Sequence, residues 1–496
     1  MADRTLLLGI DLGSSATKAV LLDAERGIVA AASRPVELHS PHAGWAEADP
    51  MVWWRNVEAL VPELLRAAGA SPKDVAAVSV AGMVPAVVCV DQDGLPLRRA
   101  LLQNDARAVA EIEAMSSDLA DVDLLGRTGS VLSQQSVGPT LRWLSIHEPD
   151  VWANTRHVLG SYDWLATALG ATPHVERNWA IESGLFALDL APMVEVFRAA
   201  GISADVLPPV RESGTVAGSV SAGAALSLGL DAGTPIVVGG ADHVLSAFGA
   251  GLFAPGDWLI KLGGAGDVLA VTEGTFLDAR LYLDAHPEPG LWLPNGCMAT
   301  SGSLLRWLQN IAGGVELLTL DAEAEDSEPA ALVALPYFLG EKSPLHDPDL
   351  RGAFIGLHLG TTRGDLHRAC LEAIAYGFRQ HVDVFAERGV VLGDPRVTNG
   401  GSSSVLWKHI LADVLQRPLT PVIDHPGAAL GAAVAAGVGV GVLASWDVMR
   451  DFVQLGTPIE PDPSRSAVYE EGYRMYCELE PALRPLSHAL SRRGRS

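Results

Sequence analysis

Two stretches about 250 residues apart in this 496-residue chain share one plan, and that echo limits what the chain can fold into. The first runs Leu6-Leu7-Leu8-Gly9-Ile10-Asp11-Leu12-Gly13-Ser14-Ser15-Ala16-Thr17-Lys18 and on to Asp23. The second runs Trp258-Leu259-Ile260-Lys261-Leu262-Gly263-Gly264-Ala265-Gly266-Asp267 and on to Val271. In each, two β-rich apolar runs flank a Leu-Gly turn of small residues, which predicts a hairpin. Between and after them, strand patterns such as Pro235–Val238 alternate with helical ones such as Asp365–Ile374. An α/β chain built from a duplicated domain follows. The expected parts are residues 1–245, residues 246–455 and a helical tail over 456–496.

The bulk numbers remove several function classes. A formal net charge of −24 repels nucleic acid and anionic membranes, but a nucleotide site depends on local N–H groups and a cation, so it stays open. The four cysteines lack zinc or disulfide spacing, and reduced, cytoplasmic surroundings are expected. The apolar run Leu6–Ile10 stops at Asp11, unlike a secretory leader. The uncharged stretch Gly427–Ser445 is built mainly of Gly, Ala and Val, and predicts a tightly packed interior helix before a membrane span. Residues Leu320–Pro329 read as a solvated acidic loop.

The turns suggest the chemistry. Small residues let backbone N–H groups approach phosphate oxygens, and Ser14, Ser15 and Thr17 add hydroxyls beside Gly13. Asp11 closes the strand before that turn. A carboxylate next to phosphate is repulsive unless a cation separates them, so Asp11 implies Mg²⁺. A plain hairpin with a polar turn is the alternative. The turn Gly263-Gly264-Ala265-Gly266 offers a second cradle, and the pair suggests ATP gripped between two domains. Gly239-Gly240-Ala241-Asp242-His243 follows a strand and enters a helix expected over Val244–Ala250. Asp242 stands where a general base of an α/β cleft is found, or else caps that helix. His243 is given no role, a histidine there being more often structural. Gly400-Gly401-Ser402 follows another strand and permits flat approach of a base or ribose, with a serine cap possible at the same time.

Rival motifs fail. No Gly-Lys pair exists for a P-loop, and Gly249–Ala254 fits a dinucleotide fingerprint but follows a helical pattern. No HExxH or GxSxG occurs.

In this order, these elements resemble the FGGY family of carbohydrate kinases. Gly44-Trp45-Ala46-Glu47-Ala48-Asp49-Pro50 and Asn104-Asp105-Ala106-Arg107 look like sugar-side motifs of its xylulokinase-like members. Gly340-Glu341-Lys342-Ser343-Pro344, Asp347-Pro348, Arg351-Gly352, the stretch from Gly352 to Glu372 and Gly427–Ala433 resemble later family segments, with Cys370 off-pattern. The resemblance implies a two-domain actin-like ATPase (ribonuclease H-like) fold with an interdomain cleft. It implies Asp242 as the base and Asp11 as the Mg²⁺-site carboxylate. Gly13, Ser14, Ser15 and Thr17 would then form one phosphate loop, Gly263 to Gly266 the other, and Gly400, Gly401 and Ser402 the adenosine site. The sugar would lie near Met83, Asn104, Asp105 and Asp242, and a homodimer would be a common assembly.

The departures from the family are local. Val84 stands where an imidazole is common, Gln103 replaces a tryptophan, Thr140 a lysine, and Gly264 and Ala265 replace hydroxyl residues. An acceptor pocket altered from that of a D-xylulose kinase is expected. The altered second loop motivates one alternative, a sugar-binding regulator without catalysis. An ATP-driven conformational switch on the same scaffold is another, opposed by the sugar-side matches around Trp45 and Asn104.

Overall fold

The computed structural model describes residues 4–42, 44–425 and 427–494. Its first sheet has six strands: β1 (Leu6–Leu12), β2 (Ala16–Asp23), β3 (Gly27–Pro35), β4 (Val75–Gly82), β5 (Val216–Ser219) and β6 (Pro235–Ala241). They lie in the order β5-β6-β4-β1-β2-β3. The predicted hairpin is β1–β2, antiparallel with Asp11 opposite Lys18. Helix α1 (Pro50–Ala68) joins β3 to β4, and its start was written in the sequence: Asp49 accepts from the Met51 N–H and Pro50 fills the first turn. Gly69, in the left-handed region at φ 59°, ends it. Trp53, Val57, Leu60, Val61 and Leu64 recur on one face and are buried. Farther on come α2 (Arg177–Glu182) and, directly after β6, α3 (Asp242–Gly249).

The second sheet repeats the first. It contains β7 (Trp258–Leu262), β8 (Gly266–Ala270), β9 (Tyr282–Ala285), β10 (Leu291–Met298), β11 (Arg396–Thr398) and β12 (Thr420–Ile423). Strands β7 and β8 form the second hairpin, and β10, β8, β7, β11 and β12 are neighbours in that order. The inner pairs β1–β2 and β7–β8 are antiparallel, whereas β1–β4 and β7–β11 are parallel. Two copies of one topology therefore underlie the faint sequence echo.

Helices α4 (Gly302–Ile311), α5 (Leu317–Glu325), α6 (Arg363–Glu387) and α7 (Val405–Leu415) complete the second half. Here one expectation fails. Leu320–Glu325 is helix rather than loop, because Leu320 and Ala324, four residues apart, both bury. Glu325 is exposed on its outer face and Glu323 pairs there with Arg363, whereas Asp321 turns inward.

Gly427–Ser445 does form a packed interior helix, α8 (Ala428–Gly439), buried on all sides from Ala428 to Gly437. No helix among the described residues is long and apolar enough to cross a membrane. Helix α8 lies against β1, β2, β4 and β6 of the first sheet. Small residues make that approach possible. A Cβ on Gly9 would collide with the Ala429 carbonyl oxygen and lie 2.6 Å from the Ala433 nitrogen. The tail is equally integrated: α9 (Ser466–Gly494) places Tyr469, Tyr473 and Tyr476 in the second core, where Arg368 donates to the Tyr469 hydroxyl at 2.7 Å.

Because backbone atoms cannot move aside, Gly9→Ala should cost on the order of 3 kcal/mol or more. Urea denaturation of the full chain checks this, and an unchanged midpoint would mean that α8 does not seat on β1 as described.

Candidate active site

Four charged side chains meet where the hairpins face each other. Asp11 is the penultimate residue of the buried strand β1, with Lys18 across the ladder on β2. Lys261 on β7 faces Asp267 on β8 in the matching register and pairs with it at 3.5 Å. Acid and base have thus changed strands between the two copies.

Asp242 enters from a third element. Strand β6 carries a bulge between Val237 and Gly240, and a Cβ on Gly239 would strike the Val80 carbonyl oxygen, so only glycine lets the strand lie so close. The chain then turns at Ala241 and Asp242 opens α3. Ala241, not Asp242, is the helix cap, and the Asp242 carboxylate remains one-third exposed while accepting from the His243 N–H at 2.6 Å.

Electrostatics tie these residues to one space. Burial first, and then the neighbouring Asp242 charge, push Asp11 up to about 7, against the pull of Lys18 and Lys261. Asp11 Oδ1 is buried without a partner. An orphaned carboxylate oxygen beside a second carboxylate is what a divalent cation would satisfy, so the residues fit the Mg²⁺ expectation. Gly427 roofs the spot, where a Cβ would be 3.8 Å from Asp11 Oδ2 and 3.9 Å from Lys18 Nζ. Nearby His425 is lowered to about 4 by burial and by Lys261 and Lys18, and bonds to Ser246 at 3.0 Å. Sequence reading missed both lysines and His425. Lys18 was legible in principle, as the one charged residue within an otherwise apolar β2 before Asp23.

A cleft of about 770 Å³ opens from this point, bordered by Lys18, Gly263, Gly264, Gly400, Gly401 and Trp407 among others. The carbonyls of Gly263 and Gly264 accept from Gly302 and Ser301 at the start of α4, both at 2.8 Å, which fixes the turn. Gly264 and Gly400 face open space, whereas a Cβ on Gly401 would strike Trp407 and Leu262. Ser402 bonds back to the Asn399 carbonyl at 2.6 Å, and the serine that caps α7 is Ser404. Ser404 also donates to Asp321 at 2.7 Å, and Asp321 meets His367 at 2.7 Å. Asp321 comes from the misread acidic segment, which hid it.

Other expected residues sit differently. Ser14 and Ser15 are exposed at the first turn, and Gly13 donates to the Ala16 carbonyl at 3.0 Å. Thr17 is fully buried and accepts from Asn56, so its hydroxyl is withdrawn from the cleft by strand alternation. Gly266 is buried against Phe378, and Ala265 does not border the cleft. Met83 belongs to the first core rather than to a surface. Asn104 is exposed, but Asp105 is spoken for: it accepts from the Ala46 N–H at 2.6 Å and from Arg107 Nε and Nη2 at 2.8 Å each. Arg107 also pairs with Glu47 at 2.7 Å and lies 3.7 Å over the Trp45 ring. The Trp45 and Asn104 motifs therefore lock each other. Among the described residues, Arg107 Nη1 and Gln103 Oε1 are left buried without partners.

The Asp11 shift sets a pH test on the cation-free protein. A carboxyl raised from 3.8 to about 7 stabilises the fold through its bound proton below about pH 4, and that contribution is lost as pH rises through about 7. Asp11→Asn should therefore gain stability over the parent on going from pH 5 to pH 8, by on the order of 2 kcal/mol. Urea midpoints at both pH values measure it, and a gap that does not widen would contradict the burial of an ionisable Asp11.

Comparison with known proteins agrees with this geometry. The pattern "FGGY family of carbohydrate kinases, N-terminal domain" matches residues 6–249, and its C-terminal counterpart matches residues 268–440. The crystal structure of xylulose kinase from Rhodospirillum rubrum is 41% identical, with a TM-score of 0.90 over 97% of this chain and 100% of that one. A xylulose kinase of Staphylococcus epidermidis is 27% identical over 95% of this chain and 96% of its own length. An L-xylulose/3-keto-L-gulonate kinase of Escherichia coli is 29% identical over 96% and 97%. With both halves matched, and a two-lobed actin-like fold around the cleft, the chain belongs to the FGGY family of carbohydrate kinases, ATP-dependent phosphotransferases with an alcohol group as acceptor.

Proposed function

We propose that this chain transfers the γ-phosphoryl group of Mg-ATP to a hydroxyl of a small ketose or polyol, with a xylulokinase-like site whose acceptor pocket is altered. The observation that carries the reading is the meeting of Asp11 and Asp242 between Lys18 and Lys261. One carboxylate beside a cation and one free to take a proton are the two acids that phosphoryl transfer to an alcohol requires. Asp242 accepts the proton of the acceptor hydroxyl. The hydroxyl oxygen bonds to the γ-phosphorus as the bond to the bridging oxygen breaks, and ADP leaves with that electron pair. Lys18 and Lys261 offset the negative charge on the phosphoryl oxygens. Asp11 would hold Mg²⁺, which supplies further charge neutralisation when bound.

The small turns at Gly13–Ser15 and Gly263–Gly264 suit the phosphates, and the open face at Gly400 suits the nucleoside. Closure of the lobes would exclude water, the competing acceptor. The altered pocket is supported by Gln103 Oε1 and Arg107 Nη1, a buried acceptor and donor left for substrate hydroxyls, and by buried Val84. Overall identity does not choose the sugar, because relatives named for different acceptors are 27% and 29% identical to this chain.

ADP release measured across a panel of ketoses and polyols, xylulose included, tests the reading. Strong stimulation by one acceptor is expected. Sugar-independent hydrolysis would indicate a conformational switch, and sugar binding without turnover a regulator. Asp242→Asn should lower turnover about 10²–10⁴-fold with ATP affinity nearly kept. A variant with near-normal turnover would remove Asp242 as the base.

A further inference from the structure

His243, passed over in the sequence, is surrounded by three carboxyl groups, that of Asp242 among them. Its Nδ1 lies 3.6 Å from Asp242 Oδ1, and its Nε2 lies 2.8 Å from Asp284 Oδ2 and 3.7 Å from Glu182 Oε1. These partners come from three elements: α3 itself, β9 of the second half and the end of α2 in the first. Asp284 is almost wholly buried and accepts a further bond from Asn295 Nδ2 at 2.6 Å. Strand β9 is itself fastened to α2. Asn178 Oδ1 accepts from the Ala285 N–H at 2.7 Å, and Asn178 Nδ2 donates to the Ala285 carbonyl at 3.0 Å. Ile181, Leu283, Ala285 and Trp292 form an apolar cluster around that junction. The carboxylate of Asp284 is thus delivered by the second lobe to a fixed point behind the base.

We propose that His243 and Asp284 are a positioning pair for Asp242. Asp284, carried by the second lobe, holds the His243 ring, and the ring holds the Asp242 carboxylate in register with the acceptor hydroxyl. The base is then aligned only while β9 sits on α2. The inference rests on the reading of Asp242 as base and adds to it a group that never touches the sugar. Burial would discharge the ring, but Asp284, Asp242 and Glu182 outweigh it and keep His243 protonated well above the ordinary histidine range. Glu182 is pushed up by its own burial and by Asp284, against the pull of His243. Asp267 on β8 also faces the ring from the second lobe; burial pushes it up, yet Lys261, the Cys297 thiol, His243 and Lys342 hold it low. The fixed ring restricts rotation of the Asp242 carboxylate.

Glu182, His243 and Asp284 have donor atoms within 4.8 Å of one another, close enough for a transition metal. The 2.8 Å bond from ring to Asp284, backed by Asn295, favours a shared proton instead.

His243→Gln and Asp284→Asn, both near-isosteric, test the pair in the full chain with the best acceptor of the sugar panel. His243→Gln should lower kcat about 10–100-fold while KM for ATP stays within about twofold. Asp284→Asn should lower kcat likewise, and the double variant should be no worse than the weaker single one. Unchanged kcat, additive losses or a parallel rise of KM for ATP would overturn the pair. One equivalent of zinc or manganese in the purified protein, lost in Asp284→Asn, would replace it with a metal site. Should either variant fail to fold, ¹⁵N spectra of histidine-labelled parent protein decide: a ring still protonated at pH 8.5 supports the pair, and none overturns it. Asp242→Asn run alongside separates the two readings. If it keeps turnover the base assignment fails, whereas if it alone is inactive only the positioning pair falls.

Discussion

Two carboxylates that repel each other across a buried cleft are the constraint around which this molecule is organised. Burial raises the cost of ionising Asp11, and the neighbouring Asp242 charge raises it further. Such a pair persists only if the surroundings supply positive charge. Lys18 and Lys261 supply part of it, one from each hairpin, and a divalent ion with its nucleotide would supply the rest. The cleft is therefore a place of stored repulsion that a bound cation would relieve.

Much of this was legible in the sequence because local chemistry and global fold agree there. The hairpins announce themselves by β-rich runs around small turns, α1 by its Asp49-Pro50 start, and α8 by residues too small to do anything but pack closely. The approach to Asp242 was legible through position, since Gly239 and Gly240 have no use in a strand unless a bulge or a close neighbour requires them.

What stayed hidden was side-chain direction. Thr17 and Lys18 are neighbours, and pleating sends the first into the core and the second to the cleft. Asp105 looked like a sugar ligand until Arg107, two residues on, was seen to fold back over it. Asp321 was lost in an acidic run whose outward appearance concealed an inward-turned member. Asp284 could not have been found, because nothing along the chain links it to His243, 41 residues away.

The late return of α8 to the first sheet has a consequence for synthesis. The backbone that covers Gly9, from Ala429 to Ala433, emerges from the ribosome only some 420 residues after it. At ordinary elongation rates the nascent first lobe waits roughly 20–90 seconds with one face of its sheet bare. The strand bearing Asp11 is thus made long before it is sealed, so a chaperone that shields apolar sheet faces has a long opportunity there.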